Sequence, residues 1–220
     1  VNLAYAAAAE GRRTLLGDFD AQGGASFYYR VKREGSTAKK LLGGGAKVAA
    51  RIKESDYPNL DLLPSSLSYR KLSILLSRVA KPRKRLAISL ASVASEYDLL
   101  VVDSHAGLDI TSEALFRGAD RILIPLIPTP LSIESYGTVA AFFDRHKEDR
   151  RKLSLFFSMV DGRRKLQRES MEEMRRREGG VLQSAIPYAA EVEHMGLYRE
   201  PLLARHPSSR AGRAYQALWR

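Results

Sequence analysis

Apolar positions along this chain follow two alternating rhythms. Short, nearly unbroken runs occur at 14–19, 97–103, 121–126, 153–160 and 182–186, with a further one at 59–63 closed by Pro64. Their length and composition predict strands. The runs Leu99-Leu100-Val101-Val102 and 121–126 lack polar alternation, which predicts strands buried on both faces. Helical spacing fills the intervals. It covers 1–10, stopped by Gly11, then 25–33, and 39–52 despite Gly43-Gly44-Gly45. It continues over 67–80, with Leu72, Leu75, Leu76 and Val79 on one stripe, and over 82–95, where Pro82 suits a first turn. The last helical stretches are 110–118, 132–148, the highly charged 165–178, and 208–219. This alternation predicts an α/β fold: a doubly wound, mostly parallel sheet flanked by helices, in a single domain over residues 1–220.

Composition narrows the chemistry. With no cysteine, disulfide frameworks, thiolate metal sites and cysteine nucleophiles are excluded. The histidines His105, His146, His194 and His206 show no metal-ligand spacing. No apolar run approaches the length of a membrane span. Residues 1–9 lack the basic leader of a signal peptide. Thirty-six Lys and Arg against 25 Asp and Glu give a net charge of +11. Such a surplus favours polyanions such as DNA, RNA or anionic lipid, or it serves solubility alone. Residues 1–139 hold 19 basic and 14 acidic groups, and residues 140–220 hold 17 and 11, so the surplus reads as spread along the chain.

In doubly wound sheets, ligands bind at the carboxyl ends of the strands. The first strand ends in Asp18-Phe19-Asp20-Ala21-Gln22, and the run at 99–103 ends in Asp103-Ser104-His105-Ala106-Gly107. Two acidic strand ends on one rim suit a Mg²⁺–phosphate site, because carboxylates hold the hydrated metal and a glycine lets backbone N–H groups approach phosphate. Each Asp alone could equally cap the helix that follows it.

At these residues the chain resembles the ParA/Soj branch of the deviant-Walker P-loop ATPases, relatives of MinD. The resemblance rests on Val1-Asn2-Leu3-Ala4, Asp18-Phe19-Asp20-Ala21-Gln22-Gly23 with Ala25-Ser26, Tyr97 through Asp103 with Gly107-Leu108, Ile124-Pro125, Ile186-Pro187, and 208–218. Asp-x-Asp-x-Gln is characteristic of the ParA branch, whereas MinD-like members usually lack the Gln. In the family a strand and a loop, Lys-Gly-Gly-x-Gly-Lys-Thr-Thr, precede the Val-Asn-Leu segment, so the resemblance implies that this first strand and phosphate loop are missing here. The run Gly43-Gly44-Gly45-Ala46-Lys47 does not replace them, lacking the Gly-Lys-Ser/Thr pattern and a preceding strand.

The resemblance implies a role for each matching residue. Asp20 would position the attacking water, and Asp18 and Asp103 would serve Mg²⁺. Gly107 would offer its N–H near the γ-phosphate, and Ser158 and Pro187 would lie by the adenine. The family's Thr-Pro-Pro before that glycine is here Ser104-His105-Ala106, which should loosen the loop. Non-specific DNA contacts fall to Arg163, Arg164, Lys165 and Arg199, while Arg175-Arg176-Arg177 alternate with glutamates on a solvated helix.

The implied activity is a ParA-like ATPase in plasmid or chromosome partitioning or cargo positioning. Its cofactors would be ATP and Mg²⁺, bound by the complete protein. Its partners would be non-specific DNA, a second copy in an ATP-dependent homodimer, and a ParB-like centromere-binding or cargo-adaptor protein that stimulates hydrolysis. It would work without a membrane, in the cytoplasm on the nucleoid. The alternative is a catalytically inactive ParA-like DNA-binding or adaptor protein that has lost the phosphate loop.

Overall fold

The computed structural model describes residues 1–33, 35, 38–105 and 107–220, with only the backbone of residue 83. The described residues pack as two compact units, Val1–Gly118 with Met195–Arg205, and Ala119–His194 with His206–Arg220.

The first unit holds a four-stranded sheet in the order β2-β3-β1-β4. Its strands are β1 (Thr14–Asp18), β2 (Lys53–Glu54), β3 (Leu60–Leu63) and β4 (Leu99–Asp103). β1 is parallel to both β3 and β4, and only the two-residue β2 runs antiparallel. Alternation along β1 sends neighbouring leucines to opposite cores. Leu16 joins Ala4, Ala8, Ala25, Tyr29, Leu60 and Leu62 on one side. Leu15 joins Phe19, Leu63, Leu72, Leu76, Leu86 and Leu90 on the other.

The second unit holds β5 (Ile122–Leu126), β6 (Leu153–Val160) and β7 (Val181–Pro187), all parallel and in that order. The helix Arg210–Trp219 packs on β7 and the helix Pro130–His146 on β5. The mostly parallel, helix-flanked arrangement expected from the alternating pattern is present.

Several expectations need correction. The 39–52 helix is two short ones, Ala38–Leu41 and Gly45–Ala49, because the glycine run costs too much backbone entropy to stay helical. The stretch 67–80 divides into a 3₁₀ turn, Leu67–Lys71, and a helix, Leu72–Ser77. The segment from 25 is helical only over Gly24–Tyr28. β4 and β5 are not buried on both faces: every residue of β4 is half-buried, and Leu123 of β5 is 38% exposed. Among the described residues each pairs on one side only, so neither is shielded as a central strand would be. Short helices at Ala190–Glu193, Met195–Tyr198 and Leu202–Arg205 have no counterpart in the apolar pattern.

The helix Asn2–Ala9 ends as the sequence suggests. Gly11 adopts φ 85°, and its N–H reaches the Ala8 carbonyl at 2.9 Å while that of Arg12 reaches Ala7 at 3.2 Å. These two bonds form a Schellman motif, which leaves the residue after the cap in the left-handed region. Gly11→Ala is therefore expected to cost about 1 kcal/mol, read as a lower urea midpoint at unchanged slope. An unchanged midpoint would show that the left-handed turn carries no such cost.

Candidate active site

The carboxyl ends of β1 and β4 carry the acidic pair. Their parallel register sets Asp18 directly opposite Asp103, and the Phe19 N–H donates to the Asp103 carbonyl at 2.7 Å. Asp18 is fully buried. Its Oδ2 accepts from both the backbone N–H and the hydroxyl of Ser26, each at 2.7 Å. Its Oδ1 is buried without a hydrogen-bond partner. Burial pushes the Asp18 carboxyl above its ordinary pKa, and the nearby Asp103 adds to this, while the Ser26 bonds oppose it. Burial also raises Asp103, and Asp20 adds to the rise. A buried and a half-buried carboxylate side by side, the former with an orphaned oxygen, form a hard-oxygen donor set that fits a magnesium ion.

The loop after β1 is fixed by serines. The Ser26 hydroxyl, while donating to Asp18, accepts the backbone N–H of Ser65 at 2.9 Å. The Ser65 hydroxyl donates in turn to the Asp20 carbonyl, which also takes the Gly23 N–H at 2.9 Å. The loop after β3 thus clamps the backbone of Asp20. Its carboxylate keeps one oxygen on the Gln22 N–H at 2.8 Å. Ser26 was part of the family-like stretch, but nothing in its spacing gave it a role, and Ser65 carried no signal at all.

Beyond β4, Gly107 has φ 152°, a backbone conformation that side-chain-bearing residues rarely adopt. Residue 106, in the Ser104-His105-Ala106 stretch, lies outside the described residues. His105 Nε2 stands 3.4 Å from Asp109 Oδ2. Asp109 caps the helix Ile110–Gly118, accepting from the N–H groups of Thr111 and Ser112 at 2.9 Å each, and it also accepts from the Ser73 hydroxyl. Burial would raise its pKa, but the bonds from Ser73 and Ser112 and the nearby His105 bring it below the ordinary value. This cap anchors the far end of the loop.

Ser158 and Pro187 belong to the second unit. Pro187 ends β7 opposite Val160, and Ser158 precedes Met159, which has φ 54° in a stretch where the β6–β7 register shifts.

The basic residues fall in both units. Arg199 lies in the first unit, whereas Arg163, Arg164 and Lys165 lie in the second. The Arg199 guanidinium sits over the Phe27 ring at 4.7 Å and donates to the Phe27 carbonyl at 3.0 Å. Arg163 is 90% exposed but ion-paired with Asp161 at 2.9 Å, and Arg164 approaches the same carboxylate at 3.6 Å. These partners, Arg163 first, hold Asp161 down to about 2. Lys165 pairs with Glu169 at 3.6 Å.

The family described as AAA domain matches residues 1–155. The chain belongs to that family. It is 24% identical over 204 residues to the virulence plasmid ParA family protein pGP5-D of Chlamydia psittaci, spanning 92% of this chain and 79% of that protein. It is 25% identical over 225 residues to the chromosome-partitioning ATPase Soj of Treponema pallidum, spanning 100% of this chain and 88% of Soj. Cobyrinic acid a,c-diamide synthase from Mycobacterium smegmatis, solved with an ATP analogue and magnesium, has the same fold at TM-score 0.79 and 19% identity, over 99% of this chain and 84% of that one. The resemblance to ParA-type partitioning ATPases, first carried by the Asp-x-Asp-x-Gln stretch, is borne out. Among the described residues, no helix is long and apolar enough to cross a membrane.

Proposed function

We propose that this AAA domain member works as a ParA-like partitioning ATPase: it binds Mg-ATP, dimerises in the ATP state and holds DNA without sequence preference. A ParB-like or cargo-adaptor partner then stimulates hydrolysis and release, in the cytoplasm on the nucleoid. The observation that carries the reading is the register of Asp18 against Asp103, with Asp20 clamped beside them. Asp18 and Asp103 would hold the magnesium ion, whose charge would neutralise phosphate oxygens. The Asp20 carboxylate is tied on one oxygen only, to Gln22, and the other accepts a proton from a water lined up for attack. The Gly107 N–H, placed by a φ closed to most residues, donates to the terminal phosphate. The ATP analogue and magnesium named for the synthase of the same fold, and the ATPase named for Soj, support this reading.

The test is phosphate release from Mg-ATP by the complete protein, phosphate loop included, with and without duplex DNA and partner. Asp103→Asn is expected to lower turnover by about a hundredfold and to weaken its dependence on magnesium, since the donor set loses a charge. Turnover by Asp103→Asn at the unaltered rate would overturn the assignment.

A further inference from the structure

Counted by halves of the chain, the positive surplus looks even. Counted over residues 35–95 it does not: twelve Lys and Arg stand against three Asp and Glu, and no acidic residue occurs between Asp61 and Glu96. Nine of the eleven net charges therefore come from one stretch of the first unit.

The fold gathers much of that stretch on an outer face. The helices Leu72–Ser77 and Pro82–Ala94 bury Leu72, Leu76, Leu86, Leu90 and Val93 in the core. Helical spacing then turns the intervening positions outward. Arg70, Lys71, Arg78, Lys81, Lys84 and Arg85 are all exposed. Lys81, Lys84 and Arg85, with Ile88, recur at the i, i+3, i+4, i+7 spacing of one helix face. Arg70 or Lys71, Ile74 and Arg78 do the same across the preceding turn and helix. The two helices are joined directly from Arg78 to Lys81 and pack against each other.

The basic strip from Arg70 to Arg85 also differs from the other basic clusters in its pairing. Arg150, Arg151, Arg163, Arg164, Lys165 and Arg177 each meet a carboxylate within 3.6 Å. Among the described residues, no salt bridge involves Arg70, Lys71, Arg78, Lys81 or Lys84. Arg85 gives one N–H to the Leu42 carbonyl at 2.9 Å, which fixes its stem and leaves its charge uncompensated.

We propose that this strip, from Arg70 to Arg85, is the surface that contacts the phosphate backbone of double-stranded DNA. The proposal rests on the DNA-binding part of the proposed function and moves its site from the paired arginines at 163–165 to the first unit. Phosphate contacts require dense, uncompensated positive charge and no hydrophobic anchor. The strip matches that description, its exposed apolar members Ile74 and Ile88 standing singly at 53% and 61% exposure. A protein partner would need a buried aromatic or aliphatic cluster that the strip lacks. An anionic membrane would be entered by an apolar helix face, and here those faces are already buried in the core.

The test is fluorescence anisotropy of the full chain with labelled duplexes of two unrelated sequences, at several salt concentrations, with and without Mg-ATP. The comparison set is Lys71→Ala/Lys84→Ala, the charge-keeping Lys71→Arg/Lys84→Arg, and Arg163→Ala/Arg164→Ala; circular dichroism checks the fold of each. The alanine pair at 71 and 84 is expected to weaken binding at least about tenfold at 100 mM salt and to flatten the log–log salt slope by about 1.8. The arginine pair should bind like the unaltered chain, and the pair at 163 and 164 should change affinity by less than about threefold. If the unaltered chain binds DNA but only Arg163→Ala/Arg164→Ala weakens it, the strip is wrong and the DNA-binding reading stands. If the chain ignores DNA in both nucleotide states, both fall. If substitution at 71 and 84 abolishes flotation with phosphatidylserine vesicles and leaves DNA binding intact, the strip is a lipid surface and the proposal is overturned.

Discussion

In the complete protein, phosphate loop included, replacing Asp20 by alanine is expected to lower ATP turnover by about a hundredfold or more while changing nucleotide affinity by less than about threefold. The two effects separate because Asp20 is held through its backbone and acts through its side chain. Its carbonyl carries the Gly23 N–H and the Ser65 hydroxyl, and both bonds survive truncation of the carboxylate. The side chain itself gives up only the bond from Gln22, exposed to solvent, so the loop should keep its shape. Single-turnover phosphate release measures the first effect, and titration with a fluorescent ATP analogue the second. ATP-dependent dimerisation, followed by light scattering, should persist. Turnover near the unaltered rate would remove Asp20 from the chemistry. A parallel loss of nucleotide affinity would make it a binding residue instead.

Ser26→Ala and Asp18→Asn are expected to move stability in opposite directions. Ser26 is fully buried and its hydroxyl serves two partners, donating to Asp18 and accepting from the Ser65 N–H. Alanine leaves that N–H buried and unpaired and takes a bond from a buried carboxylate, a loss of about 3 kcal/mol in urea denaturation. Asn at position 18 can still accept from Ser26 and no longer buries a charge. Without magnesium at pH 7 it should unfold at higher denaturant than the unaltered chain, though hydrolysis is lost. The sign follows from linkage. A carboxyl whose pKa is raised on folding keeps its proton in the native state while the unfolded state releases it, so its contribution declines as pH rises from about 3.9 through the folded value. The advantage of Asp18→Asn should therefore be full at pH 7 and shrink on acidification. An advantage that grew toward low pH, or an Asn variant as unstable as Ser26→Ala, would show that Asp18 is not strained by burial.

What could be read in advance depended on how local the cause was. β1, β4 and β6 announced themselves because a buried strand needs only its own apolar residues, and the acids at 18, 20 and 103 stood where such strands end. β2 escaped notice because its two residues, Lys53 and Glu54, are exposed and carry no apolar signal. Ser65 could not be read because its partner lies 39 positions away and meets it only when two loops fold together. The arginines at 163 and 164 looked available until the structure paired both with Asp161, although that acid sits only two and three residues upstream. The exposure of β4 and β5 was misjudged because an apolar run reports a strand's composition and not which of its edges find neighbours.

The orphaned oxygen of Asp18 bears on this protein's stability as well as its chemistry. A buried carboxylate with half its hydrogen-bonding capacity unmet is costly, since an uncharged replacement would fold more firmly. A cation seated against that oxygen would lift the cost, so the filled site should make the whole fold harder to unfold.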